Sequence, residues 1–461
     1  MKDNILHLLQ TLRAYAVEKG YLVSVIYHEE DSSLMRFANS AVSLNTNEHI
    51  IRLGVEAYDG RRRAEYSMIT GLDDLDEMKR GIDLAVEMAH HAQPLGYDMT
   101  IPVFKQDFAD ESAFDPALAA MSSEERLAFF NQAVAGLEEE ELLLSGIFSS
   151  GVNIWAQINT LSEHTQYFQT TDAQISVVLA HRQLKWEVTA EQSAQQKADL
   201  NPEALRRELA FLVRCYKEQP AMQLPLGTYD IVLGQAAVAD LLSTMNWIGF
   251  SGGAYKRGFS FLSEEQVGQK VFSEQFTLVD DPNRRETFPF RFDFMGMERQ
   301  PFPLVQKGVF QGFMWMQDDA DEFGMKPTGH TVPARSLVMA GGDVPVATVE
   351  ELARMPRERD VLYIPFLHYM NIVNPSQGVV TASSRFGALL LKRDGSIAVP
   401  YNVRLTQSLL DLFGERVAWV SSVTAPYNTS SSYGERNPTA VIVPMFMQVN
   451  GLEISHSNSS Y

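Results

Sequence analysis

Apolar residues at Ile5, Leu8, Leu9 and Leu12 recur at helical spacing and predict a first helix ending near Gly20. The pattern then switches to a period of two. Residues 21–28, 34–44, 49–58 and 63–69 alternate apolar with polar positions and are rich in β-formers. Turn-forming residues stand between them at Asp31-Ser32-Ser33, Asn45-Thr46-Asn47 and Asp59-Gly60. Such short connections predict an antiparallel meander, because parallel strands need long crossovers. Helical spacing returns over 73–91, where Leu75, Met78, Ile82, Ala85, Val86 and Ala89 share one face. Another helix is predicted over 123–138, opened by Ser122 and Glu125 at capping-box spacing. Strands follow at 142–159, 165–169 and 174–184, and Asn201-Pro202 starts a third helix running to about Lys217.

The stretch 219–227, with Pro220, Pro225 and Gly227, is the best-marked boundary in the chain. It divides an N-terminal domain, 1–219, from a C-terminal domain, 226–461. Beyond it, 229–233 reads as a strand and 236–245 as a helix. Strand-like segments then follow at 276–279, 288–294, 303–305, 308–317, 362–366, 387–392, 416–423 and 439–449. Only 349–354 and 406–413 interrupt them as helices. The fold class expected is α+β: an N-terminal antiparallel sheet with helices, then a β-rich, barrel-like C-terminal domain.

Charge narrows the partners. The chain carries 38 Lys+Arg against 58 Asp+Glu, a formal balance of −20 over 461 residues. Nucleic-acid affinity comes mainly from neutralising phosphates, and the densest basic run, Arg61-Arg62-Arg63, sits at a hairpin turn. Direct nucleic-acid binding is disfavoured. No apolar run reaches the ~18 residues of a spanning helix, and charges break the N-terminal stretch where a signal peptide would be apolar. One cysteine, Cys215, excludes an internal disulfide and a cysteine-rich zinc site. The expectation is a soluble, cytoplasmic protein without membrane contact.

Catalytic motifs are scarce. The ten histidines include no pair three to five residues apart, so no helix offers two imidazoles to one metal ion. Gly249-Phe250-Ser251-Gly252-Gly253 matches the Gly-x-Ser-x-Gly elbow, but that elbow needs a preceding strand, and here a helix leads into it. A flexible glycine loop is the plainer reading. Gly253 and Gly258 have Walker-A separation, but Phe259 stands where the phosphate-binding lysine belongs. Cys215 reads as a small buried hydrophobe.

The order of motifs after 229 is more telling. Asp230-Ile231-Val232-Leu233, Gly258-Phe259-Ser260-Phe261-Leu262 and Val267-Gly268-Gln269 come first. Asp280-Asp281-Pro282, Phe292-Asp293-Phe294-Met295-Gly296, Gln306-Lys307-Gly308, Thr328-Gly329-His330 and Arg393-Asp394-Gly395 follow. The series resembles the TldD/PmbA family, also called peptidase U62 or "modulator of DNA gyrase". In TldD-like chains a His-Glu-x-x-x-His helix after the Asp-Ile-Val-Leu strand, with a C-terminal cysteine, binds zinc. Here the equivalent helix reads Leu241-Leu242-Ser243-Thr244-Met245-Asn246-Trp247-Ile248, and no cysteine follows Cys215. The chain therefore resembles the metal-free TldE/PmbA branch.

That resemblance implies a subunit without catalytic or metal-binding residues of its own. It would shape a closed chamber for unstructured peptides while a TldD-like partner supplies zinc. Asn246, Phe250, Tyr255, Phe259, Ser260 and Phe261 are the candidate chamber surface; ordinary core packing is the competing reading. Two departures, Tyr167–Ala173 without the family's Asn-Ser-x-Gly and His330 in place of Asn, leave a homodimeric peptide-binding or adaptor protein open. A self-sufficient hydrolase using Ser251 is the other alternative. Residues 226–451 are expected to form a dimer interface, with 439–449 contributing an edge unless it is an internal core strand.

Overall fold

The apolar stripe of the first helix sets the first layer. In the computed structural model, which describes residues 2–137, 139–331, 336–430 and 435–461, α1 (Lys2–Glu18) buries Ile5, Leu8, Leu9, Leu12 and Ala16. Together with Met78, Ile82, Ala85 and Ala89 of α2 (Leu75–His91), these side chains cover one face of a seven-stranded sheet. Its strands run β3 (Arg62–Thr70), β2 (Ala41–Asp59), β1 (Val23–Ala38), β5 (Leu142–Asn159) and β6 (Gln166–His181). At the far side β6 also takes β4 (Phe108–Ala113) in parallel and β7 (Glu187–Ala194) antiparallel.

The meander is present and turns at Asp59-Gly60 as expected, but the two earlier turns are not where composition put them. Asp31, Ser32 and Ser33 lie mid-strand, paired with His49, Glu48 and Asn47. The chain reverses instead at Asn39-Ser40, both left-handed at φ 52° and 64°. Two successive positive φ values make the turn whose twist matches a strand pair. Residues 41–49 of the ribbon stand almost wholly in solvent, so polar residues cost nothing there. In the same way β6 runs unbroken through Asp172, because Arg436 meets that buried carboxylate at 2.7 Å.

Three helices cover the other face. α3 (Pro116–Ala119) and α4 (Ser123–Val134) follow β4, and Ser122 and Glu125 form the expected reciprocal cap at 3.2 and 2.9 Å. α4 ends at Val134, short of the expected 138, and Glu138 lies outside the described residues. α5 (Pro202–Glu218) starts as expected, with Asn201 accepting from the Ala204 N–H.

The second half is strand-rich but open. One sheet runs β15 (Phe366–Asn374), β16 (Val379–Arg385), β19 (Val403–Ser408), β23 (Phe446–Ser457), β9 (Gly227–Gly234), β14 (Val361–Ile364), β17 (Leu389–Leu391), β18 (Ile397–Pro400) and β8 (Ala221–Met222), with β20 (Val417–Val420) on β23. The other runs β12 (Val309–Phe310), β11 (Phe302–Gln306), β10 (Leu278–Asp280), β13 (Leu337–Met339), β22 (Ala440–Pro444) and β21 (Thr424–Asn428). Neither closes on itself, so the barrel-like expectation is corrected to two open sheets. Short helices fill the margins: α7 (Gly252–Lys256), α8 (Gln317–Phe323), α9 (Val349–Arg354) and α10 (Leu409–Phe413). The long helix of this half, α6 (Gln235–Ile248), packs against strands of both sheets.

Three further corrections follow from burial. Residues 288–294 form no strand; Phe290 and Phe292 instead cluster with Phe168 of the first half. Thr406 and Gln407 belong to β19, and the helix begins only after Ser408 caps it. The segment 439–449 is interior: β22 is flanked by β13 and β21, and β23 by β9, β19 and β20. It offers no dimer edge. Its backbone groups are already paired within the chain.

The hydrophobic interior does not respect the 219–227 connector. One cluster joins Trp186, Val188, Phe211 and Tyr216 to Val232, Tyr363, Leu389 and Phe446. Among the described residues, no helix is long and apolar enough to cross a membrane.

Candidate functional site

Gly234 hands β9 to α6. A Cβ there would stand 2.9 Å from the Pro365 Cα, so only glycine lets the backbones pass. Ala237, Val238, Leu241, Leu242, Met245 and Ile248 then fall on the inward face and are buried. The opposite stripe comprises Asp240, Ser243, Thr244 and Trp247, spaced three and four apart as one helical face requires. Trp247 is 57% exposed. The Ser243 hydroxyl donates back to the Ala239 carbonyl at 2.9 Å, and Thr244 Oγ1 lies 3.9 Å from Met370 Sδ on β15. Asn246 turns aside from the stripe, half-buried.

These residues do not fit zinc. Zinc sites take imidazole, thiolate or carboxylate, and positions 243–248 offer hydroxyls, a thioether, an amide, an indole and an alkyl chain. Among the described residues, no three His, Cys, Asp or Glu side chains are placed to hold a metal ion.

A cleft opens between the halves beside the start of α6. A cavity of about 800 Å³ lies between β7 and α5 on one side and α9 and β21 on the other, lined by Glu191, Glu208, Gln235, Thr348, Pro426 and Met445. Glu191 accepts the Tyr427 hydroxyl at 2.8 Å. Burial raises the Glu191 carboxyl above its usual range despite that hydrogen bond. Burial, reinforced by the charge of Glu191, pushes Glu208 up to about 7 and Asp240 up to about 7. No basic side chain forms an ion pair with any of the three among the described residues. Carboxyls so placed hold protons near neutral pH. They come from three elements, so no local pattern announces the group; only Asp240, a lone acid in an apolar helix, carries a local signal.

The six expected chamber residues separate. Phe250 is fully buried, 6.0 Å from the Phe310 ring and 6.4 Å from Phe272. Phe261 is buried as well, its ring filling the space a side chain at Gly249 or Gly378 would need. Both are therefore core, which corrects the chamber-surface reading for them. Tyr255 is half-buried and stacks on Phe313 at 4.7 Å, while Ser260 donates to the Gly249 carbonyl at 3.1 Å. Only Phe259, 49% exposed, faces outward among these aromatics.

Ser251 begins a helix instead of a flexible loop. Its Oγ accepts from the Ala254 N–H, capping α7. A Cβ at Gly252 would meet the Trp315 ring at 2.5 Å, and one at Gly253 the Asp319 carboxylate at 2.2 Å, so both glycines serve close packing. Ser251→Ala should therefore cost about 1 kcal/mol of stability as a lost cap. It should leave any peptidase activity of an assembled complex within about a few-fold, whereas loss of a nucleophile costs ~10⁴-fold or more. Urea denaturation and peptide cleavage measured on the same preparation check both halves of that statement.

Comparison with known proteins bears on the family of the chain. Residues 226–456 match the model of the PmbA/TldA metallopeptidase C-terminal domain. A metalloprotease from Methanothermobacter thermautotrophicus is 29% identical over 164 residues, covering 33% of this chain and 31% of that protein. The chain thus spans about a third of the length of this curated relative. A Thermotoga maritima protein described as a modulator of a DNA gyrase superposes with a TM-score of 0.78 at 16% identity, covering 97% of this chain and 99% of that one. TldE from Thermococcus kodakarensis does so with a TM-score of 0.78 at 15% identity, covering 98% and 100%. At such identities the likeness is one of fold, and it takes in both halves. With the family's C-terminal domain matched across half of its length, the chain belongs to the TldD/PmbA family.

Proposed function

We propose that this chain is a non-catalytic subunit of a family peptidase, walling a chamber for unstructured peptides while a TldD-like partner supplies zinc. One observation carries the reading: α6, equivalent to the family's zinc helix, offers Ser243, Thr244 and Trp247 on its open face where the family's ligands would stand. Peptide hydrolysis at neutral pH needs an activated water or nucleophile, and this face supplies neither. What it does supply is contact. Trp247 and the hydroxyls beside it suit a peptide of varied sequence, and β15, at the edge of its sheet, has main-chain groups to spare. The acidic, one-cysteine chain suits a cytoplasmic setting.

Co-expression with a family member carrying His-Glu-x-x-x-His tests this. The two chains should co-elute as one species by light scattering, and peptide cleavage should appear only in the mixture. Cleavage by the isolated chain would overturn the reading. Self-association that ignores the zinc-helix chain would replace it with the homodimeric adaptor.

A further inference from the structure

A second pocket opens beside the β15–β16 pair. It has a volume of about 360 Å³, and Lys185, Glu187, His368, Tyr369, Arg385 and Phe386 are among its walls. Lys185 and Glu187 come from the β6–β7 hairpin of the first half; the others come from the β15–β16 pair of the second. Three of the seven left-handed non-glycine residues among those described stand here: Lys185 at φ 62°, Tyr369 at 50° and Phe386 at 60°. Such backbone strain gathers at ligand clamps. At Tyr369 it accompanies a break in strand register and leaves the ring 72% exposed.

The polar groups are of the kind that suits an anion. Arg385 Nη1 donates to His368 Nε2 at 3.0 Å, and its Nη2 donates to Glu187 at 3.2 Å. The guanidinium rests on the Phe386 ring at 4.5 Å, which fixes its plane. Arginine only donates, so the His368 proton sits on Nδ1 and this ring too becomes a donor. Burial and the Arg385 charge hold His368 below its ordinary pKa, keeping it neutral. Two cations, Lys185 and Arg385, against one carboxylate, Glu187, leave a single positive charge among the lining side chains. That matches a monoanion better than a phosphate dianion. Exposed Tyr369 offers an aromatic face beside it.

We infer that this pocket receives a carboxylate, and that the carboxylate is the C-terminal group of a short peptide. The assignment deepens the reading of the chain as a peptide-handling subunit and rests on it. Met370, next to Tyr369, touches Thr244 of α6, so the pocket and the stripe both border β15.

Titration calorimetry on the full chain alone tests it, using N-acetylated Ala-Ala-Ala-Phe as the free acid, the same peptide as its C-terminal amide, and acetate. The acid should bind at least about tenfold more tightly than the amide. Arg385→Gln should remove that preference, and Lys185→Gln should reduce it by about threefold or more. Lys185 is exposed, so its variant keeps the test valid even if Arg385→Gln melts early. Equal binding of acid and amide, no heat from either, or a preference untouched by both variants would overturn the proposal. Acetate competing as strongly as the peptide would assign the pocket to small organic acids and overturn the peptide half. None of these readouts involves a second subunit, so failure here leaves the co-elution experiment standing.

Discussion

Arg299→Ala should lower the unfolding free energy by about 3–5 kcal/mol, the largest loss expected from any single change considered, because it strands a carboxylate in the core. Arg299 Nη2 donates to Asp280 Oδ1 at 2.5 Å and Nη1 to the Phe290 carbonyl at 2.9 Å. His330 Nε2 lies 3.7 Å from Asp280 Oδ2 on the other side. Burial alone would raise the Asp280 pKa, but the neighbouring His330 and the Arg299 charge outweigh it and hold the group at about 2. A depressed carboxyl contributes stability above its ordinary 3.8 and loses it as pH falls through about 2. The variant should lose most of that acid dependence along with the stability. Urea melts at pH 7 and pH 3 measure both effects. Asp280→Asn in the Arg299→Ala background should recover part of the loss, since the uncompensated charge is then gone. A deficit below about 1 kcal/mol would mean that water or the backbone already satisfies Asp280.

The second large effect has the opposite sign. Glu208→Gln combined with Asp240→Asn should stabilise the protein at pH 8. Glu208 titrates at about 7 against an ordinary 4.5, and Asp240 at about 7 against 3.8. The folded state therefore holds protons that the unfolded state has released. For such groups stability is highest below the ordinary values, declines as pH rises through them to about 7, and is flat above. Each pKa unit is worth about 1.4 kcal/mol, but both groups are partly exposed and share Glu191 as neighbour, so a combined gain of about 2–3 kcal/mol is the realistic figure. Below pH 4 the advantage should vanish, because the native carboxyls are then neutral as well. Guanidinium melts across that pH range give the slope. A double variant no more stable than the parent at pH 8 would show that the cleft solvates these groups fully.

Local chemistry was legible where it was self-contained. Strand 142–159 and helix 349–354 form over the residues their patterns indicated, and Ser122 caps with Glu125 because the whole motif lies within one turn. Asp59-Gly60 turns as expected, but the meander's two earlier turns were misread for a physical reason. Asp31-Ser32-Ser33 looks like a turn only if strands must be buried, and this ribbon stands in water. The aromatics of 288–294 alternate like a strand but reach across to Phe168, a contact no local pattern encodes. The site divides along the same line. The missing ligands on α6 could be read from side-chain types alone. The grouping of Glu191, Glu208 and Asp240, and of Lys185, His368 and Arg385, exists only once the halves have docked.

That docking bears on how the gene can be cut and recombined. Pro220, Pro225 and Gly227 mark the connector as an obvious seam. Yet Trp186 and Tyr216 from one side share an interior with Val232 and Phe446 from the other. A protease that nicked the connector would produce two pieces still clasped together. A shuffled gene carrying either piece alone would encode a chain with an open apolar wound, destined for quality control. The halves are inherited as one cooperative object, whatever the sequence punctuation suggests.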